Sequence, residues 1–434
     1  MKQILKFIDL FAGIGGIRLG LERAAKARNI KTECVFTSEI KPHAIKVLSK
    51  NHPDEKIFGD ITQISADNIP DFDVLLAGFP CQAFSSAGKR QGFVDTRGTL
   101  FFEVERILSE KKPSGFILEN VEGLINHDKV DKDAPMGRTL EIILEHLKKL
   151  GYKTNWACLN AKDFGLAQDR KRVYIVGTRK KKPSLSHFEH KTAQLSDILE
   201  TGQQTEQTNF IESLLSNFSV EQLYGKSIKD KRGGENNIHS WDLGIKGPVS
   251  AEQKALLNDI FKQRRKKVWA TEIGIEWMDG MPLTYEQIKT FNSSPNLKTM
   301  LDDLVKKGYL KLEHPKKLVR ETQPDGKVKT YRVQDSKLKK GYNIVAGKLS
   351  FEISKILDPQ GIAPTLVAMD MQKLYVIDGN GLRKLTLIEG LRLFGYPDDH
   401  LGDVSLMNGY DLLGNTVAVP VITAVANRVL DIIL

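Results

Sequence analysis

The sequence predicts an α/β protein, with a doubly wound and mostly parallel sheet and a smaller domain inserted into it. Three observations support this prediction. Short apolar runs alternate with amphipathic stretches over the first 180 residues, the alternation decays after about residue 183, and buried helical character returns after residue 382. Strand–helix alternation is typical of parallel sheets that are covered by helices on both faces.

Five apolar runs predict buried strands, because turn residues flank them and they lack polar alternation. They are FIDLF (7–11), CVFTSE (34–39), DVLLAGF (73–79), GFILENV (115–121) and VYIVGT (173–178). The spacing of apolar residues predicts helices over 16–28, 42–50, 99–110, 137–150, 382–399 and 415–434. Pro420 should lie near the start of the last of these helices, since proline disrupts a helix interior.

The domain boundaries follow from polar stretches such as TGQQTEQTN (201–209), which predict linkers. We expect a large domain formed by residues 1–182 plus 371–434, with residues 183–370 inserted. Within the insertion, helices are predicted over 251–267, 285–291 and 297–308, and a hairpin joins YLKLEHP (309–315) to KVKTYRV (327–333). This order indicates a winged-helix-like unit at 251–333, although three helices and a hairpin also occur in unrelated folds.

The positive charge of the chain is concentrated in its middle. The 434 residues include 64 Lys and Arg and 54 Asp and Glu, for a net charge of +10, and 41% hydrophobic residues exclude a wholly disordered chain. Residues 171–350 hold 33 basic and 21 acidic residues, a net charge of +12, whereas the rest of the chain has a net charge of −2. This distribution fits either a solvated lysine-rich surface or a lobe that binds a polyanion.

The three cysteines, Cys34, Cys81 and Cys158, form no CxxC pair, which excludes a disulfide framework and a thiolate zinc site. We therefore expect no metal ion, and we expect a reducing, cytoplasmic location. No apolar run approaches the roughly 20 residues of a membrane span. Lys6 and Asp9 interrupt the apolar start of the chain, which argues against a signal peptide.

A glycine-rich turn follows the first predicted strand, in FIDLFAGIGG (7–16). Its glycines let the backbone approach a ligand, but Arg18 replaces the third glycine of the dinucleotide fingerprint. Glu39 ends the second strand, where a carboxylate can accept both ribose hydroxyls, and Asp60 could accept an adenine amino proton. The set fits an adenosine ligand without a pyrophosphate, although such glycines are as common in plain tight turns.

A free cysteine follows the predicted strand DVLLAGF, in GFPCQAFSSAG (78–88). Cys81 lies at the edge of the sheet where ligands bind, so that its thiolate would be accessible as a nucleophile. No nearby histidine forms a protease-like pair with it, which argues against acyl transfer. Cys34 lies within a strand and is interpreted as an inert small hydrophobe.

Two further motifs carry ionisable groups. In ENV (119–121), Glu119 ends an apolar strand, where desolvation favours the protonated acid, but this motif taken alone favours a solvated strand-end acid. In QDRKRVYIVG (168–177), Arg170 and Arg172 alternate, which predicts that they point from one strand face. Two such arginines suit an anionic or carbonyl-rich ligand, and a salt-bridged surface pair is the alternative.

The blocks FAGIGG, PCQ, ENV, QDRKR and GNTVAVP, in this order, resemble the DNA cytosine-5 methyltransferase family of bacterial restriction–modification systems. The resemblance covers about residues 1–180 and 380–434. It implies the fold of S-adenosylmethionine-dependent methyltransferases, double-stranded DNA as the substrate, and S-adenosyl-L-methionine as the methyl donor, with S-adenosyl-L-homocysteine as the product. It also implies that residues 183–370 are the target-recognition region.

Residue by residue, the resemblance assigns Cys81 as the nucleophile at cytosine carbon 6 and Glu119 as the acid at the ring nitrogen. Arg172 would contact the cytosine carbonyl oxygen, with Arg170 in support. The residues that would bind the methyl donor are Phe11, Gly13, Gly15, Glu39, Asp60, Ile61, Pro80, Leu100, Asn415 and Val417. The residues that would contact DNA are Gln82, Ser85, Lys89, Arg90 and Thr365. Ile40 departs from the family pattern, because many members carry tryptophan beside the ribose acid.

Two alternatives remain at this point: an RNA cytosine methyltransferase with the same catalytic blocks, and a non-catalytic DNA-binding regulator. The long basic insertion favours DNA over RNA, and the intact Cys81, Glu119 and Arg172 argue against a regulator. The resemblance further implies a cognate restriction endonuclease as functional partner and a place in the bacterial cytoplasm, associated with the nucleoid. Action on one base at one site permits a monomer.

Overall fold

A computed structural model of the chain describes residues 4–79, 100–129, 131, 133–230, 233–322, 328–345 and 351–434. Contacts divide the chain into two compact units. Unit 1 comprises Met1–Thr201, Asp358–Gln372 and Lys384–Leu434, and unit 2 comprises Gly202–Leu357 and Lys373–Arg383. The predicted functional boundaries, 1–182 plus 371–434 around 183–370, stay a prediction.

The elements of the described residues alternate in unit 1 and are more mixed in unit 2. The strands are β1 (Ile4–Leu10), β2 (Lys31–Ser38), β3 (Ile57–Phe58), β4 (Val74–Ala77), β5 (Gly115–Val121), β6 (Lys153–Asn160), β7 (Lys171–Thr178), β8 (Ser227–Ile228), β9 (Asn237–Ile238), β10 (Leu310–Glu313), β11 (Lys316–Thr322), β12 (Val328–Gln334), β13 (Gly341–Ile344), β14 (Lys355–Ile356), β15 (Leu374–Asp378) and β16 (Gly381–Lys384). The helices are α1 (Gly16–Lys26), α2 (Pro42–Asn51), α3 (Leu100–Lys111), α4 (Arg138–Lys149), α5 (Asn209–Asn217), α6 (Val220–Leu223), α7 (Ala251–Gln263), α8 (Val268–Glu272), α9 (Tyr285–Lys289), α10 (Leu297–Lys306), α11 (Leu387–Arg392), α12 (Leu406–Gly414) and α13 (Val419–Ile433).

The central sheet of unit 1 has the order β3-β2-β1-β4-β5-β7-β6 among the described residues. The strands from β3 to β5 pair in parallel, and β7 is antiparallel to both β5 and β6. The predicted doubly wound, mostly parallel α/β fold is therefore confirmed. All five predicted strands are present, but the edge strand β6 was not predicted, because its sequence KTNWACLN is half polar and mostly half-buried or exposed.

Alternate residues of the buried strands face two separate hydrophobic cores, because successive side chains point to opposite sides of a sheet. In β1, Ile8 and Leu10 join a core with α3 and α4. Leu5 and Phe7, from the same strand, join a second core with α1 and α13. Helices therefore cover both faces of the sheet.

The last helix, α13, belongs to this second core. It begins at Val419 with Pro420 in its first turn, as predicted, and its buried residues include Ile422, Val425 and Val429. Residues 406–433 are apolar enough in composition to cross a membrane. They form two helices, however, and α13 packs against the sheet, so that its apolar character reflects burial within unit 1.

The helix predicted within 382–399, with its end at Gly395 and Pro397, starts later than expected and ends a few residues earlier. Strand β16 runs from Gly381 to Lys384, and only Leu387–Arg392 is α-helical. Thr386 caps this helix by accepting a hydrogen bond from the Glu389 N–H, at 3.1 Å. A side-chain cap of this kind fixes where a helix starts, so the strand-forming residues before it are excluded.

Unit 2 contains a five-stranded sheet with the order β16-β15-β14-β8-β9 and a separate helical core. The predicted hairpin pairing is wrong. β10 pairs with β13, and β11 pairs with β12, so that KKLVRET (316–322) takes the place expected for YLKLEHP (309–315). The predicted helices over 251–267, 285–291 and 297–308 correspond to the shorter α7, α9 and α10.

We expect Gly20→Ala to lower the free energy of unfolding by about 1–2 kcal/mol. A Cβ at this position of α1 would lie 2.3 Å from Ile422 Cγ2 in α13. Overpacking of this kind costs about 1–3 kcal/mol, and the higher helix propensity of alanine returns up to about 1 kcal/mol. Urea unfolding measures the difference.

Gly59→Ala is the matched control, because nothing lies within 4 Å of a Cβ there. A Gly20→Ala protein as stable as the Gly59→Ala protein would show that α1 and α13 do not pack this closely.

Candidate active site

The turn after β1 is held open by backbone conformations that favour glycine. Gly13 and Gly15 have φ of 57° and 79°, and Phe11 has φ of 55°, which is uncommon for a residue with a side chain. The Gly13 N–H donates to Glu39 Oε2 at 2.7 Å. Glu39 thus joins the glycine turn to the end of β2.

Three backbone N–H groups fix the Glu39 carboxylate. Besides Gly13, the N–H groups of Ile40 and Lys41 donate to Oε1, both at 2.8 Å. A carboxylate oxygen can accept two hydrogen bonds. Glu39 is therefore held in one orientation while retaining capacity for a further donor, as a ribose hydroxyl would be.

A cleft of about 710 Å³ lies along these strand ends. Its volume suits a ligand of nucleoside size. Residues from both ends of the chain line it, including the predicted Phe11, Gly13, Glu39, Asp60, Ile61, Leu100, Asn415 and Val417. Gly15 is the N-cap residue of α1 beside this cleft, and Ile40 also lines it with 68% of its surface exposed.

A second cleft, of about 910 Å³, contains the predicted acid and both arginines. Glu119, 9% exposed in β5, places Oε1 at 3.2 Å from Nε of Arg172 in the neighbouring strand β7. Burial raises the pKa of the Glu119 carboxyl, and the charges of Arg172 and Arg170 oppose this rise only in part. The carboxyl therefore keeps its proton to a higher pH than a solvated glutamate does.

The two clefts share part of their walls. Gly78, Glu119, Asn415 and Thr416 line both of them. A ligand in the first cleft can therefore approach a ligand held by Glu119 and Arg172 in the second. Thr365, predicted to contact DNA, lines the second cleft and donates from Oγ1 to the Asp169 carbonyl at 2.6 Å.

Arg170 differs from Arg172 in its contacts. It precedes β7, and its Nη1 donates to the Leu366 carbonyl at 2.9 Å, while its Nη2 donates to the Thr416 carbonyl at 2.6 Å. Its guanidinium carbon also lies 5.0 Å from the Phe394 ring centre. Arg170 therefore positions the C-terminal walls of both clefts, whereas Arg172 faces the acid.

Other residues that position the site were not predicted. Gln168 is buried, donates from Nε2 to the Leu393 carbonyl at 2.9 Å and accepts from the Leu366 N–H at 3.2 Å. The Tyr396 and Thr416 hydroxyls lie 2.5 Å apart. Gln168 belongs to the QDR block and Thr416 to the GNT block, so both positions were noticed in the sequence. Their positioning roles were not, because these depend on contacts between distant segments.

Six predicted residues lie outside the described residues: Pro80, Cys81, Gln82, Ser85, Lys89 and Arg90. The other cysteines differ from each other: burial raises the pKa of Cys34 to about 12, as suits an inert thiol, and Cys158 is exposed on β6. Among the described residues, no group of three His, Cys, Asp or Glu side chains is placed to hold a metal ion.

A doubly wound sheet whose nucleoside-sized cleft meets a buried acid–guanidinium pair defines an enzyme of the methyltransferase class. The profile of the C-5 cytosine-specific DNA methylases matches residues 5–431, and the chain belongs to this family of DNA (cytosine-5-)-methyltransferases.

The chain is 60% identical over 430 residues to the Type II methyltransferase M.NlaIV of Neisseria lactamica, covering 99% of both chains. It is 59% identical, with the same coverage, to the Type II methyltransferase M.NgoBV of Neisseria gonorrhoeae. The solved structure of the Entamoeba histolytica methyltransferase EhMeth has a TM-score of 0.53 at 16% identity, covering 99% of this chain and 98% of that one. At this identity the structure supports the fold alone.

We expect Arg170→Lys to lower the free energy of unfolding by at least about 2 kcal/mol, because hydrogen bonds to a buried charged group contribute about 1.5–3 kcal/mol each and lysine lacks the forked donors. Arg172→Lys is the matched control, since it keeps the charge beside Glu119 and removes none of the contacts to Leu366 and Thr416. Thermal unfolding of both variants measures the effect. Equal stability of the two would argue against the positioning role of Arg170.

Proposed function

We propose that this chain is the modification enzyme of a bacterial Type II restriction–modification system. It transfers a methyl group from S-adenosyl-L-methionine to carbon 5 of a cytosine in a specific double-stranded DNA sequence, leaving S-adenosyl-L-homocysteine. The observation that carries the proposal is the wall that the two clefts share at Gly78 and Glu119. The similarity to M.NlaIV and M.NgoBV over nearly the whole chain supports the Type II assignment.

The first cleft suits the methyl donor. Glu39 would accept the ribose hydroxyls, Asp60 would accept from the adenine amino group, and the glycine turn would let the backbone approach the ligand. The other residues proposed for this ligand are Phe11, Ile61, Pro80, Leu100, Asn415 and Val417. When bound, S-adenosyl-L-methionine supplies an electrophilic methyl group on a sulfonium.

The nucleophile in this proposal is Cys81. Carbon 5 of cytosine is a poor nucleophile, so the ring needs covalent activation. The Cys81 thiolate adds to carbon 6, and the ring electron pair moves toward nitrogen 3 and makes carbon 5 enamine-like. After carbon 5 takes the methyl group, it loses its proton to a base, and β-elimination breaks the bond between sulfur and carbon 6.

The short sequence separation between Phe79 and Cys81 supports this role of Cys81. Phe79 lines the second cleft, and Cys81 follows it by two residues. Two trans peptide units span at most about 7.6 Å between Cα atoms. This short connection supports the proposal that Cys81 acts together with Glu119 and Arg172.

The acid–guanidinium pair of Glu119 and Arg172 would stabilise the negative charge that this addition creates on the ring. Glu119, whose raised pKa favours the protonated acid, would give its proton to nitrogen 3. Arg172 would donate to the carbonyl oxygen of the base, with Arg170 in support. General acid catalysis of this kind contributes roughly 10²–10⁴ to a rate.

The target base must leave the duplex to reach this cleft, which costs a few kcal/mol. Gln82, Ser85, Lys89, Arg90 and Thr365 are the proposed DNA contacts around the extruded base. In the cell, methylation would protect the host DNA from a cognate restriction endonuclease, which places the enzyme in the cytoplasm with the nucleoid.

The proposal is tested by bisulfite sequencing of DNA from cells that express the chain. We expect cytosines to be protected in one short sequence motif. Purified protein should methylate duplex DNA and leave transfer RNA unmodified. Transfer to RNA alone, or no protected cytosine, would contradict the proposal.

We expect Cys81→Ser to bind the methyl donor and duplex DNA but to transfer no methyl group. Duplex DNA containing 5-fluorocytosine should trap the wild-type enzyme covalently, because fluorine at carbon 5 blocks the elimination, and should not trap Cys81→Ser. Cys158→Ser is the control and should be trapped like the wild type, since Cys158 lies exposed on β6. Measurable turnover by Cys81→Ser would exclude the covalent route.

We expect Glu119→Gln to lower the single-turnover rate constant by roughly 10²–10⁴. Because burial raises the pKa of Glu119, the wild-type rate should fall as the pH rises through that raised value and the acid loses its proton. The glutamine variant has no such proton and should lack this alkaline decline. Rate constants measured across pH would contradict the assignment if both proteins declined alike.

A further inference from the structure

Residues 251–345 of unit 2 contain a core of their own, built from α7, α9 and α10. Strand β10 pairs with β13, and Leu283 bridges Tyr342 in β13. Along the chain follow α7, the short helix α8, the single bridge at Leu283, α9, α10, β10, the β11–β12 hairpin and β13. Apart from α8, and with a single bridge in place of the first strand, this is the order of elements in a winged helix-turn-helix, with α10 as the recognition helix and β11–β12 as the wing.

Helix α10 presents one face to the core and the other to solvent. Leu297, Met300, Leu301 and Leu304 are buried, and the opposite face carries Lys298, Thr299, Asp302 and Lys306. Its 10 residues span about 15 Å, and its diameter suits the major groove of duplex DNA, which is about 12 Å wide.

The charged pair on this face is weakly held. Lys298 Nζ lies 2.6 Å from Asp302 Oδ1, with both side chains more than half exposed. Such pairs contribute about 0–1 kcal/mol. Lys298 Nζ also donates to the Tyr342 hydroxyl at 3.0 Å, so it would keep one partner if it exchanged the carboxylate for a phosphate.

One face of the β11–β12 hairpin, the proposed wing, contacts residues 276–277 of unit 2. Arg320 forms an ion pair with Glu276 at 3.0 Å, and Arg332 Nη2 donates to the Trp277 carbonyl at 2.9 Å. Alternate residues of a strand point to opposite faces, so Lys317 and Tyr331 lie on the other side.

That outer face combines cations with an aromatic ring. Lys317, Lys329 and Tyr331 are exposed, and Lys329 Nζ lies 5.9 Å from the Tyr331 ring centre. Glu321 is opposite Lys329 in the hairpin, and Asp335 lies 3.5 Å from Lys317, so each lysine of this face has an exchangeable carboxylate neighbour.

The charge of the whole unit matches a polyanion. Residues 251–345 hold 20 Lys and Arg against 12 Asp and Glu, a net charge of +8. The whole chain has a net charge of +10, so most of this net charge lies in fewer than a quarter of the residues. Charge of this density provides sequence-independent affinity for a phosphate backbone.

We propose that this unit is an embedded winged helix that holds the duplex, with α10 in the major groove and the outer face of β11–β12 on the phosphates. The inference rests on the proposed function only in taking duplex DNA as the substrate. Lys306, Lys317 and Lys329 then make phosphate contacts that are separate from the acid–guanidinium cleft.

The test uses the full-length protein and a short mixed-sequence DNA duplex, with affinity measured at several salt concentrations. Each lost phosphate contact reduces the slope of log affinity against log salt by about 0.9. We expect Lys306→Ala/Lys317→Ala/Lys329→Ala to reduce the slope by about 2–3 and to weaken binding at least about 10-fold.

Lys26→Ala/Lys148→Ala/Lys149→Ala is the matched control, because it removes three exposed lysines from α1 and α4 of unit 1. It should keep the wild-type slope. A wild-type slope in the first triple variant, or a change of slope accompanied by lower thermal stability than the control, would overturn the winged-helix inference. Absence of methyl transfer by the wild-type protein would instead contradict the proposed function, whatever the slope.

Discussion

The hydrogen bonds from Arg170 to the carbonyl oxygens of Leu366 and Thr416 hold together segments that lie 196 and 246 residues apart in the sequence. Both clefts of unit 1 have one wall of strand ends from the first half of the chain and another wall of residues after 364. The insertion of unit 2 separates these walls in the sequence. A forked cation that reaches two backbone carbonyls can join them without a side-chain partner on either segment.

Two opposing effects act on the pKa of Glu119 in the second cleft. Burial disfavours the Glu119 carboxylate, and the guanidinium groups of Arg172 and Arg170 favour it. Burial is the larger effect, so the pKa of the carboxyl stays raised despite the two guanidinium groups beside it. A glutamate with the same neighbours at the protein surface would be ionised and could accept a proton but not give one.

Much of the fold was predictable from the sequence, because buried parallel strands leave apolar runs and ligand-binding turns leave glycines at their ends. Residues such as Glu39 and Glu119 were found because each ends or interrupts an apolar strand. The edge strand β6 and the pairing of β10 with β13 were missed. The first is half polar, and the second joins strands on either side of the β11–β12 hairpin, a long-range pairing that local turn signals do not specify.

The distinct contacts of Arg170 and Arg172 were also beyond sequence reasoning. Alternation predicts a common direction only if both residues belong to the strand, and β7 begins at Lys171. Arg170 lies one residue before the strand, so its side chain contacts the backbone of distant segments instead of facing the acid. The methylation site itself depends on the segment around Cys81, whose role stays a prediction.

The place of α13 in the second core has a consequence for how the protein is made. The ribosome must release residues up to about 433 before this core can close, whereas the helical core of unit 2 draws on a segment completed some ninety residues earlier. At roughly 5–20 residues per second, synthesis of such a chain lasts on the order of half a minute or more. A nascent chain can thus fold the helical core of the insertion first, and it gains a complete catalytic unit only after α13 has emerged.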